Sequence, residues 1–149
     1  MKIAVACDHG GLNLKKAVID YLKEKGYKYI DFGTNSTESC DYPDFALPAS
    51  EAVAFGECDR GIIICSTGVG VSIVANKVPG IRCAHCNDVN CAELTRLHNN
   101  ANVLAMGGKV VGEDDAINIV NAFLTTDFEG GRHQRRVDKI TAIEKKYCK

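Results

Sequence analysis

Short β-branched runs alternate with amphipathic segments along the whole chain, and this alternation limits the fold more than any other feature. Strand-sized runs fall at Lys2–Cys7, 27–32, 61–65, 81–85 and 102–106. Helical segments lie between them at 11–25, 43–55, 69–77, from Asn87 to about 98, and 113–124, with a last basic helix at Arg132–Tyr147. In the first helix Leu14, Val18, Tyr21 and Leu22 share one face. Gly26 suits its C-terminal stop, Pro43 suits the first turn of the second helix, and Asn87 is expected to cap the fourth. Strands separated by helical crossovers imply a mostly parallel sheet covered on both faces. With right-handed crossovers this is an α/β three-layer sandwich, a doubly wound, Rossmann-like sheet of five strands. No repeat, low-complexity tract or linker interrupts it, so one domain over 1–149 is expected.

Hydrophobic residues make up 46% and charged residues 25%, the balance of an ordinary globular protein. The formal net charge of −1 excludes general attraction to nucleic acid or an anionic membrane. Any anion must therefore meet a local positive cluster. No apolar run reaches the roughly 20 residues of a membrane span, and Asp8 arrives too early for a secretory signal. The eight cysteines read as reduced thiols, several inside strand patterns, and the expected location is cytoplasmic.

The run Ile62-Ile63-Ile64 empties into Cys65-Ser66-Thr67-Gly68-Val69-Gly70 and then into a helical segment. A strand leading through a glycine turn to a helix start aims backbone N–H groups at one spot, which suits an anion. Cys65 then stands at the mouth of that pocket as nucleophile or base, the alternative being a packed strand cysteine. Ser66 and Thr67 offer hydroxyls, and Gly68 and Gly70 allow close approach. The turn lacks the third glycine of a dinucleotide fingerprint and the lysine of a nucleoside-triphosphate loop, so neither cofactor is supported. Asp8-His9-Gly10-Gly11 repeats the pattern after the first strand. Asp8 suits a sugar hydroxyl or ring opening and His9 a phosphate, unless Asp8 is only a helix cap. Arg132 and Arg136 are four apart, share a helix face and can clamp one phosphate, with Lys109 adding charge.

Cys83-Ala84-His85-Cys86 with Cys91 is a partial zinc pattern without a second pair, and a buried strand is the better reading. Open α/β sheets place ligands beyond the carboxyl ends of their strands. His98 and Asn99 fall near the start of the fifth strand, the opposite end. His98 then reaches Cys65 only through a bent loop or from a second subunit, and the second subunit is favoured. Spacing alone leaves open an aldose–ketose isomerase, a thiol-dependent acyl transferase or reductase, and a phosphometabolite-binding module.

Together Ala6-Cys7-Asp8-His9-Gly10-Gly11, Asp41-Tyr42-Pro43-Asp44, Cys65 to Gly70, Ala75-Asn76-Lys77, Arg96 to Asn102 and Arg132 to Arg136 resemble the sugar-phosphate isomerase family that includes type B ribose-5-phosphate isomerases and galactose-6-phosphate isomerase subunits. The resemblance implies interconversion of ribose 5-phosphate and ribulose 5-phosphate without metal or cofactor. By that analogy Cys65 moves the proton between C2 and C1, and Thr67 moves one between O1 and O2. Backbone N–H groups of Ser66, Thr67, Gly68, Val69 and Gly70 stabilise the oxyanion. His98 opens the ring with help from Asp8. Tyr42 and Asn99 contact the sugar, while His9, Lys109, Arg132 and Arg136 surround the phosphate. It also implies a homodimer, with a tetramer open, whose sites draw on both subunits and to which the last helix contributes. Allose 6-phosphate and galactose 6-phosphate stay open as substrates. Ser66 stands where many members have glycine, and Val71 where another branch has a glutamate base, which aligns this chain with the cysteine type.

Overall fold

A computed structural model of the chain describes residues 1–148. Its elements are β1 (Lys2–Cys7), α1 (Leu12–Glu24), β2 (Lys28–Asp31), α2 (Pro43–Ala54), β3 (Arg60–Cys65), α3 (Val69–Ala75), β4 (Cys83–His85), α4 (Val89–Asn99), β5 (Val103–Gly107), α5 (Glu113–Thr125) and α6 (Arg132–Tyr147). The five strands form one sheet in the order β2-β1-β3-β5-β4, and every pair is parallel. This is the doubly wound α/β sandwich that the alternating pattern predicts.

The central strands β1, β3 and β5 are almost continuously buried, whereas the short edge strands β2 and β4 are only partly covered. Side chains alternate across a strand, so each central strand feeds two cores. Ile3, Val5, Ile62, Ile64, Leu104 and Met106 meet α1 and α5 through Val18, Leu22, Ile119 and Phe123. On the other face Ala4, Ala6, Ile63, Cys65 and Ala105 meet α2 and α3 through Ala46, Ala49, Val71 and Ala75.

Several local expectations are corrected. Asp88, not Asn87, caps α4: its carboxylate accepts the Cys91 N–H at 2.7 Å, while the Asn87 Oδ1 accepts from the Gly107 N–H at 3.4 Å. An extended Asp88 places its short carboxylate under the first turn, one residue later than the pattern implies. The strand expected at 81–85 begins only at Cys83, whose N–H and carbonyl are both taken by the Asn76 side chain. The third helix ends at Ala75 instead of 77 and has seven residues. A 3-10 turn at His9–Gly11 precedes α1, which starts at Leu12 instead of Gly11.

Register then brings the loops together. Cys7 lies opposite Ile64, and Cys65 opposite Gly107, so β1, β3 and β5 release their chains side by side. Lys15 fixes a fourth segment there. It is buried on α1, and its ammonium reaches Asp31 at 2.7 Å, the Thr34 carbonyl at 2.6 Å and Asn35 at 2.9 Å. That anchors the polar loop leading to Tyr42. Among the described residues no helix is long and apolar enough to cross a membrane.

Candidate active site

At the carboxyl edge of the sheet the main chain itself is the scaffold. The carbonyl of Cys65 accepts the Gly108 N–H at 2.7 Å, and that of Ser66 accepts the Lys109 N–H at 3.0 Å. Gly68 turns the chain with φ of +83°, a left-handed conformation that side chains resist. Its N–H then donates to the Cys65 sulfur at 3.2 Å. Cys65 is buried, 5% exposed, on the side of α2 and α3, so its sulfur lies under the loop rather than at an open mouth. The Thr67 hydroxyl oxygen accepts the Val69 N–H at 3.2 Å, which leaves its own proton free to donate. Two of the expected oxyanion donors, Gly68 and Val69, are thus engaged within the loop.

The neighbouring turn is interlocked with this one. Asp8 is buried, and its Oδ1 accepts the Gly10 N–H at 2.9 Å, so it does cap the 3-10 turn. Ser66 rests on the same turn: a Cβ on Gly10 would lie 2.2 Å from its Oγ. His9 is exposed, and its Nδ1 accepts the Cys40 N–H at 3.2 Å. An amide N–H can only donate, so the His9 proton sits on Nε2, free to meet an anion. The Tyr42 ring packs on Gly70, where a Cβ would come within 2.6 Å of it. Lys109 is exposed just beyond β5. Asp8, His9, Tyr42, the Cys65–Gly70 loop and Lys109 therefore gather at one edge.

His98, Asn99, Arg132 and Arg136 do not join them. His98 and Asn99 end α4 ahead of β5, whose first residue is Val103, whereas Cys65 stands level with its last, Gly107. Arg82 and Arg96, which the sequence reading did not single out, pin this end of α4. Arg82 binds the carbonyls of Asn99 and Asn100 at 3.0 and 2.9 Å, and Arg96 binds the Asn100 side chain and the Ala101 carbonyl at 2.9 and 2.6 Å. Burial lowers the pKa of Arg96 to about 10, with Arg60 adding to the effect. The His98 ring stacks on His133 of α6, with centroids 4.3 Å apart and planes 20° apart. His133 is buried, and its Nε2 has no hydrogen-bond partner. Burial, then His98 and Arg132, holds its pKa below the usual imidazole value, against the opposing pull of Glu129. His133 and Val137 turn inward, which leaves Arg132 and Arg136 exposed on the other face of α6.

The partial zinc pattern does not close into a site. Cys83, His85, Cys86 and Cys91 bring no three ligand atoms together among the described residues, and burial pushes the Cys83 thiol up strongly and the Cys86 thiol up to about 12. Among the described residues the ligand-type groups that do gather are His98, Glu129 and His133. Stacked imidazoles aim their in-plane lone pairs side by side rather than at one point, so these rings are a packed pair.

Known proteins match this geometry closely. The Ribose/Galactose Isomerase family matches residues 3–140. Ribose-5-phosphate isomerase B of Escherichia coli strain K12 is 52% identical over 145 residues, which cover 97% of each chain. The Clostridium thermocellum ribose-5-phosphate isomerase B structure aligns with a TM-score of 0.97 at 58% identity, over 99% of both chains. The Mycoplasma genitalium ribose-5-phosphate isomerase B, solved with bound ribulose-5-phosphate, aligns with a TM-score of 0.94 at 46% identity, over 97% of this chain and 96% of that one. With the family match running from β1 into α6 and both clusters inside it, the chain belongs to the ribose/galactose isomerase family and is an isomerase.

Proposed function

We propose that this chain interconverts D-ribose 5-phosphate and D-ribulose 5-phosphate through a cis-enediolate, in the cytoplasm and as a single isomerase domain over 1–149, the last residue lying outside the described ones. The substrate class is supported by the ribulose-5-phosphate held in the Mycoplasma genitalium relative. The eight free thiols suit a reducing compartment. His98 donates a proton to the ring oxygen while Asp8 takes the one on O1, which opens the furanose. Cys65 removes the proton from C2, and the negative charge collects on O1. The N–H groups of Ser66, Thr67 and Gly70, which unlike those of Gly68 and Val69 are not spent inside the loop, meet that charge, a contribution that is often the largest in such reactions. Thr67 passes a proton from O2 to O1, and Cys65 returns its own to C1, giving the ketose. His9, Lys109, Arg132 and Arg136 hold the phosphate; Tyr42 and Asn99 hold sugar hydroxyls. Neither a metal nor a cofactor is required.

One copy cannot assemble this set, because its two halves sit at opposite edges of the sheet. In the proposed homodimer, with a tetramer also open, His98, Asn99 and α6 of one copy complete the Cys65 edge of the other. Support comes from the exposed apolar side chains Ile140, Ile143 and Tyr147, which border a groove shared with Asn99. The observation that carries the chemistry is the Cys65 sulfur, held at the end of β3 by the N–H of a glycine turn. Cys65→Ala is expected to lower turnover on the order of 10²–10⁴-fold. It should also stop deuterium uptake from solvent at C2, with inorganic phosphate still bound. Near-parental turnover in this variant would remove the base.

A further inference from the structure

We infer that His85 is a positioning residue for the Cys65 sulfur, acting through the peptide that joins Thr67 to Gly68; this rests on the reading of Cys65 as the base. His85 Nε2 lies 2.7 Å from the Thr67 carbonyl oxygen. A carbonyl can only accept, so Nε2 carries a proton and donates it. The peptide is planar and trans, with its oxygen and its N–H pointing in opposite directions. Fixing the Thr67 oxygen therefore aims the Gly68 N–H, which donates to the Cys65 sulfur at 3.2 Å. Imidazole, peptide and sulfur form one polarised chain, in which donation at one end strengthens donation at the other.

The neighbouring carbonyls show why a side chain is needed there. Those of Cys65 and Ser66 are held by the backbone N–H groups of Gly108 and Lys109. Thr67, the third in the series, is held by His85. The fit is close, since a Cβ on Gly68 would come within 2.7 Å of the His85 Nε2. The Asn87 Nδ2 lies 3.4 Å from the same nitrogen but cannot donate to a protonated one, and its Oδ1 accepts from the Gly107 N–H. His85 is exposed at the end of β4, so it acts through this bond rather than through burial. A hydrogen bond donated to sulfur favours thiolate over thiol.

The test compares His85→Leu, which removes the donor, with His85→Gln, which keeps an N–H at similar reach. The readouts are iodoacetamide alkylation of the Cys65 peptide across pH and the pH profile of kcat/KM for ribose 5-phosphate. Leucine is expected to slow Cys65 alkylation at neutral pH by about tenfold and move the acid limb of kcat/KM upward by about one pH unit, with KM little changed. Glutamine should restore both. The other ionisable groups at this edge, Cys7, Asp8, His9, Cys40, Tyr42, Cys86, Asp88 and Lys109, are the same in both variants. The inference is overturned if leucine leaves Cys65 alkylation at the parental rate, or if glutamine behaves as leucine does. In the parent protein, histidine ¹⁵N shifts should show His85 protonated at Nε2; a proton confined to Nδ1 overturns it without any variant. Activity surviving in Cys65→Ala would remove the base while leaving the alkylation result to judge His85 separately.

Discussion

The two edges of the sheet are built from different materials. At the carboxyl edge the loop after β3 is ordered by main-chain donors, glycines and one imidazole, and the turn after β1 locks into it through Ser66 and Gly10. At the amino edge the groups come as side chains from α4 and α6: two stacked imidazoles, one with a buried nitrogen that makes no hydrogen bond, and the exposed guanidiniums of Arg132 and Arg136. The first is a preorganised cradle with few cations. The second holds cations and acids with no cradle beneath them. Each lacks what the other has, and the proposed pairing of two copies rests on that difference.

The largest effect that can break this comparison is complementation. Cys65→Ala and His98→Asn should each be nearly inactive alone, since each removes a proton-transfer group worth on the order of 10²–10⁴-fold. Mixed and allowed to exchange subunits, they should recover activity. Random pairing of two copies leaves about a quarter of the shared sites free of both lesions. A mixture no more active than its components, despite hybrid dimers visible by native mass spectrometry, would place the whole site in one chain.

Much of the carboxyl edge was legible in the sequence because strand ends and glycine turns have local signatures. Cys65 to Gly70 and Asp8 to Gly11 announce themselves by following β-branched runs, and the register of parallel strands makes them neighbours. The mismatch of His98 was legible for the same reason, from its place before the fifth strand. His85 was not: its partner is a carbonyl 18 positions away, and a backbone oxygen leaves no mark in residue identity. Lys15 was hidden too, because a lysine on an amphipathic helix reads as solvent-facing until Asp31 and the Thr34 carbonyl close over it. Asp88 took the cap from Asn87 by a single residue, within the ordinary uncertainty of helix starts.

The guanidiniums sharpen the comparison next. Arg132→Ala and Arg136→Ala should each raise KM for ribose 5-phosphate by roughly ten- to a hundredfold, the range of one lost charge-assisted bond, with kcat changed less. The same substitutions should leave thermal stability almost unaltered, because both side chains are exposed. Unchanged KM in a scan of substrate concentration would detach α6 from the phosphate.

A smaller effect tests the interlock at the carboxyl edge. Gly10→Ala brings a methyl group to 2.2 Å from the Ser66 Oγ and 3.2 Å from its backbone nitrogen. Overpacking of this kind costs about 1–3 kcal/mol and displaces the Ser66 peptide. Ser66→Gly alone should be mild, and the double variant should recover most of the stability and turnover lost in Gly10→Ala. Additive losses in this cycle, measured by denaturant midpoints, would mean that the two turns are independent.

Single groups drawn from the two edges should also titrate in opposite directions, the subtlest of these differences. Cys7 ends β1 and Cys86 follows β4, and burial raises both thiols from an ordinary 9.0 to about 12, with Lys15 opposing the rise at Cys7. Above pH 9 the unfolded chain loses these protons while the native chain keeps them, so stability is complete below 9 and falls as pH rises towards 12. The slope is up to about 1.4 kcal/mol per pH unit for each thiol. His133 at the other edge is depressed instead, so the unfolded chain binds its proton first as pH falls. Its contribution is therefore complete above an unfolded imidazole pKa of about 6.5 and declines below it. Denaturant midpoints from pH 5 to 11 should form a dome, with Cys86→Ala flattening only the alkaline side and His133→Gln only the acid side. A variant that flattened both sides would show the edges to be one electrostatic unit, and the division drawn between them would fail.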